Sequence, residues 1–595
     1  MAARHLQATP PSPSPTRGPD HFRYLLVVTI GIPSTRPELG SSVRLSSGIA
    51  VLLLVLIGGL VGSAAAVASA PRILSAAPAT NAGDRAQGPS PRITFSPDGD
   101  GVNDTVSVRV SAPAGSRVWL AIEPLGGSSV AARSATAKVG ASGVVQLTWG
   151  GLLPAPARDR DQSLNIYACT AVQCSDGRVI AHRRMLSIWV DTLRHVLLGD
   201  SLQVNISRDS SAPLALQLVS PATPTEPGVD VAVTTVSSTS ALLAIPTTLS
   251  PGLWLIRATQ GSVVRFAPVV IRGGAQPVPA HTALVVYPTI TWRAYDDADC
   301  NRDGQTDSWY AHPKTPVVSR SCAFEIELEK SGLPDSFDRV GAFGKWFATA
   351  GYAADYTTDA ELATMSVADM AQYSAIVFPS HFEYAPRNLM PALESYRAAG
   401  GRLLFLAGNS FYGAVQVGDQ TIRRLTYRER TPQRSDFRIS VTGFVVCCWP
   451  PKWKVPYRVT ATALRKLPWL FSGSGLAAGD AFGVAVREAG HVDVALSPKG
   501  TIVVAQGVVP ASADVLPINL KDCNAWVGSR PTPFRPARLD DQTISVAYAT
   551  VGRGETFSLG NVGFMQALIT DSMLDKAERR ALLQVLNNLF ERFLR

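Results

Sequence analysis

Residues 373–412 read YSAIVFPSHFEYAPRNLMPALESYRAAGGRLLFLAGNSFY and contain two short apolar runs, 375–378 and 403–406. An amphipathic segment closed by Gly400 and Gly401 separates the two runs. Parallel strands need a crossover of about a dozen or more residues, and this segment is long enough to supply one as a helix. The stretch therefore predicts a βαβ unit. Similar alternation of apolar runs and amphipathic segments from residue 282 onward predicts an α/β domain around it.

Polar side chains follow both predicted strands. His381 and Glu383 come after the first strand, and Asn409 and Ser410 come after the second. Ligands of open α/β sheets gather outside the carboxyl ends of the strands. Because His381 and Glu383 are two residues apart, they would point the same way on an extended strand end. We therefore expect the chemistry of this domain at this edge, with His381 and Glu383 as candidate catalytic residues.

Four motifs resemble the C-terminal domain of the large (beta) subunit of N,N-dimethylformamidase. They are TWRAY at 291–295, SHFEYAP at 380–386, the glycine pair at 400–401 and GNSFY at 408–412. The resemblance extends from about residue 281 to the C-terminus. It implies a core like that of class I glutamine amidotransferases, which is flavodoxin-like. It also implies hydrolysis of the C–N bond of a small amide, with a mononuclear iron held by two tyrosines and a glutamate.

Carried onto this sequence, the resemblance assigns three iron ligands, Tyr295, Tyr310 and Glu383. His381 would be a catalytic acid or base, or a residue that supports a ligand. Phenolate and carboxylate oxygens suit hard ferric iron. Ala385 stands where the family has tryptophan, and Ser380 where it has glycine. These departures leave a second hypothesis open, a non-catalytic cell-surface or extracellular protein that keeps the fold to bind a ligand such as a polysaccharide.

Residues 299–307, DCNRDGQTD, predict a calcium site. Side-chain oxygens stand at positions 1, 3, 5 and 9 of this loop, on Asp299, Asn301, Asp303 and Asp307. Gly304 supplies the tight turn at position 6. Tyr310 stands at position 12, where an EF-hand has its bidentate glutamate, so the loop resembles the shorter calcium loops of extracellular repeats. The alternative is a surface turn without an ion.

Two β-sandwich modules are predicted ahead of the α/β domain. Short runs of alternating β-branched residues, separated by Gly, Pro and Ser, are typical of antiparallel sandwiches. The string FSPDGDGVNDT at 95–105 resembles the opening of bacterial immunoglobulin-like modules, including the flagellar-hook-capping type. We predict a linker at 71–90 and a first module at 91–190, whose last strand is 187–190. A second module at 191–275 and the α/β domain at 281–595 follow.

Residues 1–70 predict export. The apolar run at 49–62 follows Arg44 and leads into small residues up to Ala70, as in a signal peptide, with an N-terminal membrane anchor as the alternative. Cys169 with Cys174, and Cys300 with Cys322, are close pairs that suit disulfides outside the cytosol. A net charge of +9 without a long basic run argues against a nucleic-acid partner. The expected partner is a small amide substrate or an extracellular ligand.

Overall fold

A computed structural model describes most of the chain after residue 69. The described residues are 70–78, 86–87, 92–95, 105–124, 130–151, 153, 162–183, 186–208, 213–221, 223, 226–236, 239–261, 263–274, 277–296, 309, 317–320, 322, 337–408, 410–411, 413–425, 438–446, 455–485, 489–509, 542–561, 565 and 574–595. The predicted signal peptide or anchor therefore lies outside them, except for its last residue. Within these ranges, no helix has both the length and the apolar character needed to cross a membrane.

The first β region consists of two sheets that share one core. Their strands are β1 (Arg72–Pro78), β2 (Ala86–Gln87), β3 (Arg92–Phe95), β4 (Val106–Ser111), β5 (Arg117–Pro124), β6 (Ala132–Arg133), β7 (Ala137–Lys138), β8 (Val144–Trp149), β9 (Gln162–Cys169) and β10 (Val179–Arg183). One sheet has the order β2-β1-β4-β8, and the other has β3-β10-β9-β5-β6 with β7 also on β5. Alternating apolar residues, such as Val106, Val108 and Val110, fill the space between the sheets.

The second β region has the same two-sheet arrangement. Its strands are β11 (Leu186–Trp189), β12 (His195–Leu197), β13 (Ser201–Arg208), β14 (Leu214–Val219), β15 (Val229–Asp230), β16 (Ala232–Val236), β17 (Ser240–Ala244), β18 (Gly252–Gln260) and β19 (Val263–Arg272). The sheet orders are β11-β13-β17-β16 and β12-β19-β18-β14-β15. Leu253, Leu255 and Val270 of the second sheet are buried in the same core as residues of the α/β region.

Two sequence predictions about these regions need correction. The strand predicted to close the first module pairs with β13, and Leu186, Ile188 and Val190 are buried in the second core. Part of the predicted linker forms β1, which pairs with β4. Apolar Ile73, with Ala76, is buried in the first core, which stabilises a strand in a stretch that local composition marks as loop.

The α/β region follows from residue 283. Its elements are β20 (Ala283–Tyr287), α1 (Thr289–Tyr295), β21 (Val317–Ser319), α2 (Phe337–Thr349), β22 (Ala354–Thr358), α3 (Asp359–Leu362), α4 (Val367–Met370), β23 (Ala375–Phe378), β24 (Tyr384–Pro386), α5 (Leu389–Ala398), β25 (Arg402–Phe405), β26 (Gly413–Val417), β27 (Thr421–Arg424), β28 (Gly443–Val446), β29 (Val455–Val459), α6 (Ala461–Lys466), α7 (Pro468–Phe471), β30 (Ala481–Ala485), β31 (Ala489–His491), β32 (Ile502–Val509), β33 (Gln542–Val551), β34 (Gly554–Ser558) and α8 (Lys576–Leu594).

The main sheet of this region has the order β22-β20-β23-β25-β34-β33-β32-β29-β30. The first five strands in this order are parallel. If these five are numbered along the chain, their order across the sheet is 2-1-3-4-5. The other four continue the sheet with antiparallel pairings. The predicted βαβ unit is confirmed as β23, α5 and β25. Every residue of β23 is buried, which is what a strand covered on both faces requires.

Two smaller sheets flank the main one. The first has the order β21-β27-β26-β24, and the second pairs β28 with β31. Strand β24 pairs in parallel with β26, so the polar loop that follows β23 is held by a second sheet as well as by the first. The predicted disulfide between Cys169 and Cys174 is present. Cys322 is also disulfide-bonded, and Cys300, predicted to be its partner, lies outside the described residues.

Candidate active site

The carboxyl ends of the parallel strands meet at one edge of the main sheet. Helix α1 follows β20, Asp359 follows β22, and His381 with Glu383 follows β23. The segments that follow β25 and β34 pack closely together. The approach is so close that a Cβ atom added to Gly408 would lie 2.9 Å from the backbone of Asn561. The predicted polar edge is therefore crowded by five chain segments.

His381 and Glu383 lie side by side at this edge. Nε2 of His381 is 3.9 Å from Oε2 of Glu383. The side chain of His381 is 24% exposed, whereas that of Glu383 is 4% exposed. A buried carboxylate is costly unless it is paired, hydrogen-bonded or bound to a metal. The pair therefore combines a carboxylate withdrawn from water with a titratable ring that solvent reaches.

The backbone around Glu383 is fixed by its neighbours. The carbonyl oxygen of Glu383 accepts a hydrogen bond from the N–H of Gly413 at 2.8 Å, and that of Phe382 accepts one from Phe411 at 2.6 Å. Phe411 has φ of 59°, a left-handed conformation that costs a bulky residue on the order of 1–3 kcal/mol. Its ring packs on those of Phe378 and Phe405, with centroids 5.6 and 5.5 Å away. This aromatic packing holds the strained turn beside the site.

Helix α1 is attached to the residue that follows Glu383. The hydroxyl oxygen of Thr291 accepts a hydrogen bond from the N–H of Tyr384 at 3.0 Å. The same hydroxyl donates to the carbonyl oxygen of Tyr384 at 3.5 Å. Tyr295, a predicted iron ligand, is the last residue of α1 and comes four residues after Thr291. The side chain of Tyr295 lies outside the described part of the structure.

Trp309 joins the same group of elements. Its backbone N–H donates to the carbonyl oxygen of Ala294 at 3.1 Å. Its ring packs edge-on against Tyr384, with centroids 4.8 Å apart. Trp309 and Tyr384 are both fully buried, in a cluster that also holds Ala294. Ala294 precedes Tyr295, Trp309 precedes Tyr310, and Tyr384 follows Glu383. Trp309 therefore links the chain neighbours of all three predicted ligands.

The remaining predicted site residues lie outside the described residues. They are Tyr310 and the calcium-loop residues Asp299, Asn301, Asp303 and Asp307. Among the residues that are described, no cluster of three or more His, Cys, Asp or Glu side chains could hold a metal ion. Of the three predicted iron ligands, Glu383 is the one whose side chain the structure describes, and a carboxylate is a donor that suits ferric iron.

Asp359 is a buried carboxylate that the sequence analysis did not assign to the site. It accepts hydrogen bonds from the hydroxyl of Thr289 at 2.8 Å and the backbone N–H of Ile290 at 3.3 Å. It thereby caps the start of α1 from the end of the neighbouring strand. Burial raises the pKa of Asp359 from 3.8 to about 7, although the hydrogen bonds from these donors lower it. An aspartate directly after a buried strand was the available signal, but only the fold places it against α1.

We predict that Asp359 gives the fold a specific pH dependence. The pKa of Asp359 is higher in the folded than in the unfolded chain, so the folded chain binds more protons between about pH 4 and 7. The free energy of unfolding contributed by this group therefore falls as pH rises through that range, by up to about 1.4 kcal/mol per pH unit, and is constant above it. Urea unfolding at a series of pH values, compared with Asp359→Asn, measures this difference.

The control for this prediction is Asp369→Asn. Asp369 takes part in a capping box with Ser366 at the start of α4, and its bonds to Ser366 are exposed to solvent. This variant should keep the pH dependence of the wild type. A curve for Asp359→Asn parallel to that of the wild type from pH 4 to 7 would contradict the prediction.

Comparison with known proteins places this geometry in context. A family model described as N,N-dimethylformamidase beta subunit-like, C-terminal, matches residues 219–576. No curated protein matches the chain. A protein from Bacteroides uniformis described as thua-like is 12% identical, with a TM-score of 0.27, over 53% of this chain and 94% of that one.

Titin fragments are also similar to part of the chain. The I-band fragment I67-I69 is 10% identical, with a TM-score of 0.14, over 34% of this chain and 66% of that one. This chain thus spans slightly less than two thirds of that fragment. The tandem A164-A165 is 9% identical, with a TM-score of 0.13, over 34% of this chain and 95% of that one. TM-scores of this size do not establish a shared overall fold.

Proposed function

The chain belongs to the N,N-dimethylformamidase beta subunit-like family over residues 219–576, and from this premise we propose that it is an amidohydrolase that cleaves the C–N bond of a small amide at the Glu383 site. The proposal assigns Tyr295, Tyr310 and Glu383 as ligands of a mononuclear iron. His381 is the proton-transferring residue, since its ring lies beside Glu383 and is reached by solvent.

One observation carries this proposal. Trp309 contacts both Ala294 and Tyr384, and these three residues are the chain neighbours of the three assigned ligands. This packing supports the proposal, because it joins the chain segment that ends at Tyr295 to the segment that carries Glu383. Tyr295, Tyr310 and Glu383 come from separate parts of the sequence. Burial of Trp309 explains the packing, but it does not explain why a tyrosine follows Trp309 and a glutamate precedes Tyr384.

The chemistry follows from the donor set. When bound, ferric iron supplies Lewis-acid polarisation of the amide carbonyl. Glu383 provides a carboxylate that is already withdrawn from water. His381 takes a proton from the attacking water and returns one to the leaving amine nitrogen, a task that imidazole rings commonly perform in enzymes. The aromatic packing of Phe411 and the hydrogen bonds of Thr291 keep the backbone of this segment in place.

The test is metal analysis of the purified protein together with amide hydrolysis. About one iron per chain, and release of amine from a small N-alkyl formamide, are the expected results. His381→Gln should keep the iron and lose most of the hydrolysis, which separates proton transfer from metal binding. A protein that folds and binds no iron when supplied with it would leave the extracellular binding hypothesis as the better one.

We also propose that the core is flavodoxin-like, as in class I glutamine amidotransferases. The parallel strand order 2-1-3-4-5 supports this assignment, because it is one of the common doubly wound orders. Export from the cytosol is proposed on the N-terminal apolar run, and the disulfide between Cys169 and Cys174 agrees with an oxidising compartment. Cell fractionation with N-terminal sequencing of the mature chain tests export.

Calcium binding by the loop 299–307 is a proposal that rests on the spacing of its oxygen-bearing side chains. If the loop binds calcium, chelation removes the ion that offsets repulsion among Asp299, Asp303 and Asp307, so the melting temperature should fall. Ligand at about ten times its Kd stabilises the native state by about 1.4 kcal/mol. Asp303→Ala should abolish the response to chelator. An unchanged melting curve for a wild-type preparation first shown to contain calcium would mean that the loop is a turn.

A further inference from the structure

A cleft of about 720 Å³ is lined by residues other than His381 and Glu383, and Val415 of the cluster that holds Trp309 and Tyr384 contributes to it. Among the described residues, its apolar floor comes from Leu193, Ala363, Pro391, Val415 and Val417. These side chains belong to the second β region, the main sheet's helices and the small sheet that contains β24. Clefts of roughly 300–1,000 Å³ with an apolar floor and a few polar groups are typical of small-ligand sites, and they occur preferentially where structural units meet.

The rim of the cleft carries three arginines and two acids. Arg320 is paired with Asp191, at 2.9 Å between Nη2 and Oδ2, and also donates to the carbonyl oxygen of Gly418. Arg194 is 67% exposed, and its Nε is 3.6 Å from Asp191. Arg387 is exposed, and among the described residues no group pairs with its side chain. Two guanidinium groups thus remain accessible at the rim.

Glu361 and Asp419 oppose these cations. Burial raises the pKa of Glu361, although Arg194 and Arg320 oppose that shift. Asp419 is exposed at the rim. Helix α5 also starts at the cleft, and no acidic residue occupies its first turn. The positive end of its dipole adds to the positive potential that Arg387 creates. Arg387 therefore contributes accessible positive charge to the cleft, whereas Glu361 and Asp419 are its sources of repulsion for an anion.

We propose that this cleft is a second binding site, for a small carboxylate with an apolar body, oriented by Arg387 and Arg194. The carboxylate pairs with a guanidinium, and the apolar body covers the floor around Val415. A guanidinium presents paired donors that match a carboxylate, which a neutral ligand of the same shape does not use. The site does not include Glu383 or His381, and the proposal does not depend on amide hydrolysis.

The test uses phenylacetate as the probe and 2-phenylethanol as its neutral counterpart, titrated into the full-length protein by ligand-observed NMR. A ligand of this size binds in the low millimolar range, and the neutral counterpart should bind at least about tenfold more weakly. Arg387→Gln should weaken phenylacetate by about tenfold, since it removes one charge-assisted hydrogen bond. Glu361→Gln should strengthen it by about threefold, because it removes a repulsive charge.

Two comparisons keep the result interpretable. Arg387 is exposed, so its substitution should leave the melting temperature unchanged. Glu383→Gln should bind phenylacetate as the wild type does, which separates this cleft from the proposed active site. Equal affinity for the acid and the alcohol, no binding of phenylacetate, or full affinity in Arg387→Gln would each overturn the proposal. Loss of binding in Glu383→Gln would instead place the probe at the active site and overturn it as well.

Discussion

Glu383→Gln is expected to lose bound iron and to reduce kcat for amide hydrolysis by at least about 10³-fold. Metal-assisted polarisation supplies several kcal/mol of transition-state stabilisation, and each 1.4 kcal/mol corresponds to a factor of ten in rate. Gln keeps the size of the side chain and removes the charge that a ferric ion needs. Iron content per chain and the steady-state rate with a small formamide are the two measurements.

Glu226→Gln is the matched control for this variant. Glu226 is an exposed glutamate of the second β region, far in sequence from the assigned ligands. It should retain both iron and rate. Glu383→Gln should still fold, because the backbone of this segment is held by the hydrogen bonds from the N–H of Gly413 and between Tyr384 and Thr291. Full activity in Glu383→Gln would refute the assigned role of Glu383.

Asp355→Ala is expected to destabilise the protein by about 2–3 kcal/mol. Oδ2 of Asp355 accepts from Nε of Arg272 at 2.8 Å and from the hydroxyl of Tyr373 at 2.7 Å. Oδ1 accepts from the N–H of Gly273 at 3.1 Å. The side chains of Arg272 and Asp355 are 15% and 12% exposed. Removing one partner leaves a largely buried cation unpaired, and the partial exposure reduces the usual cost of about 3–5 kcal/mol.

This substitution should also loosen the second β region from the main sheet. Arg272 ends β19, whereas Asp355 lies in β22, the edge strand of the main sheet. Limited proteolysis of Asp355→Ala should therefore cut between these units sooner than in the wild type. Glu591→Ala removes the exposed ion pair with Arg595 and should cost less than about 0.5 kcal/mol. Equal unfolding free energies for Asp355→Ala and Glu591→Ala would contradict the role of the Asp355 network.

Local patterns were sufficient for the elements with strong periodicity. The strand 375–378 was predicted with the bounds that the structure has, because a short apolar run that precedes an amphipathic segment fits a buried strand. The module boundaries could not be predicted from local patterns, because a strand such as β11 has the same pattern whichever neighbouring sheet it joins.

Three features could be inferred from residue patterns alone: the α/β character of the C-terminal half, the disulfide between Cys169 and Cys174, and the position of His381 and Glu383 at a strand end. These follow from periodicity, from cysteine spacing and from the fixed geometry of a βαβ unit. The contacts of Trp309 with Ala294 and Tyr384, and the capping of α1 by Asp359, became visible in the folded chain. Such contacts join residues 15 to 75 positions apart, and no local pattern encodes them. They arise because apolar burial brings the segments together and the buried polar groups must then find partners.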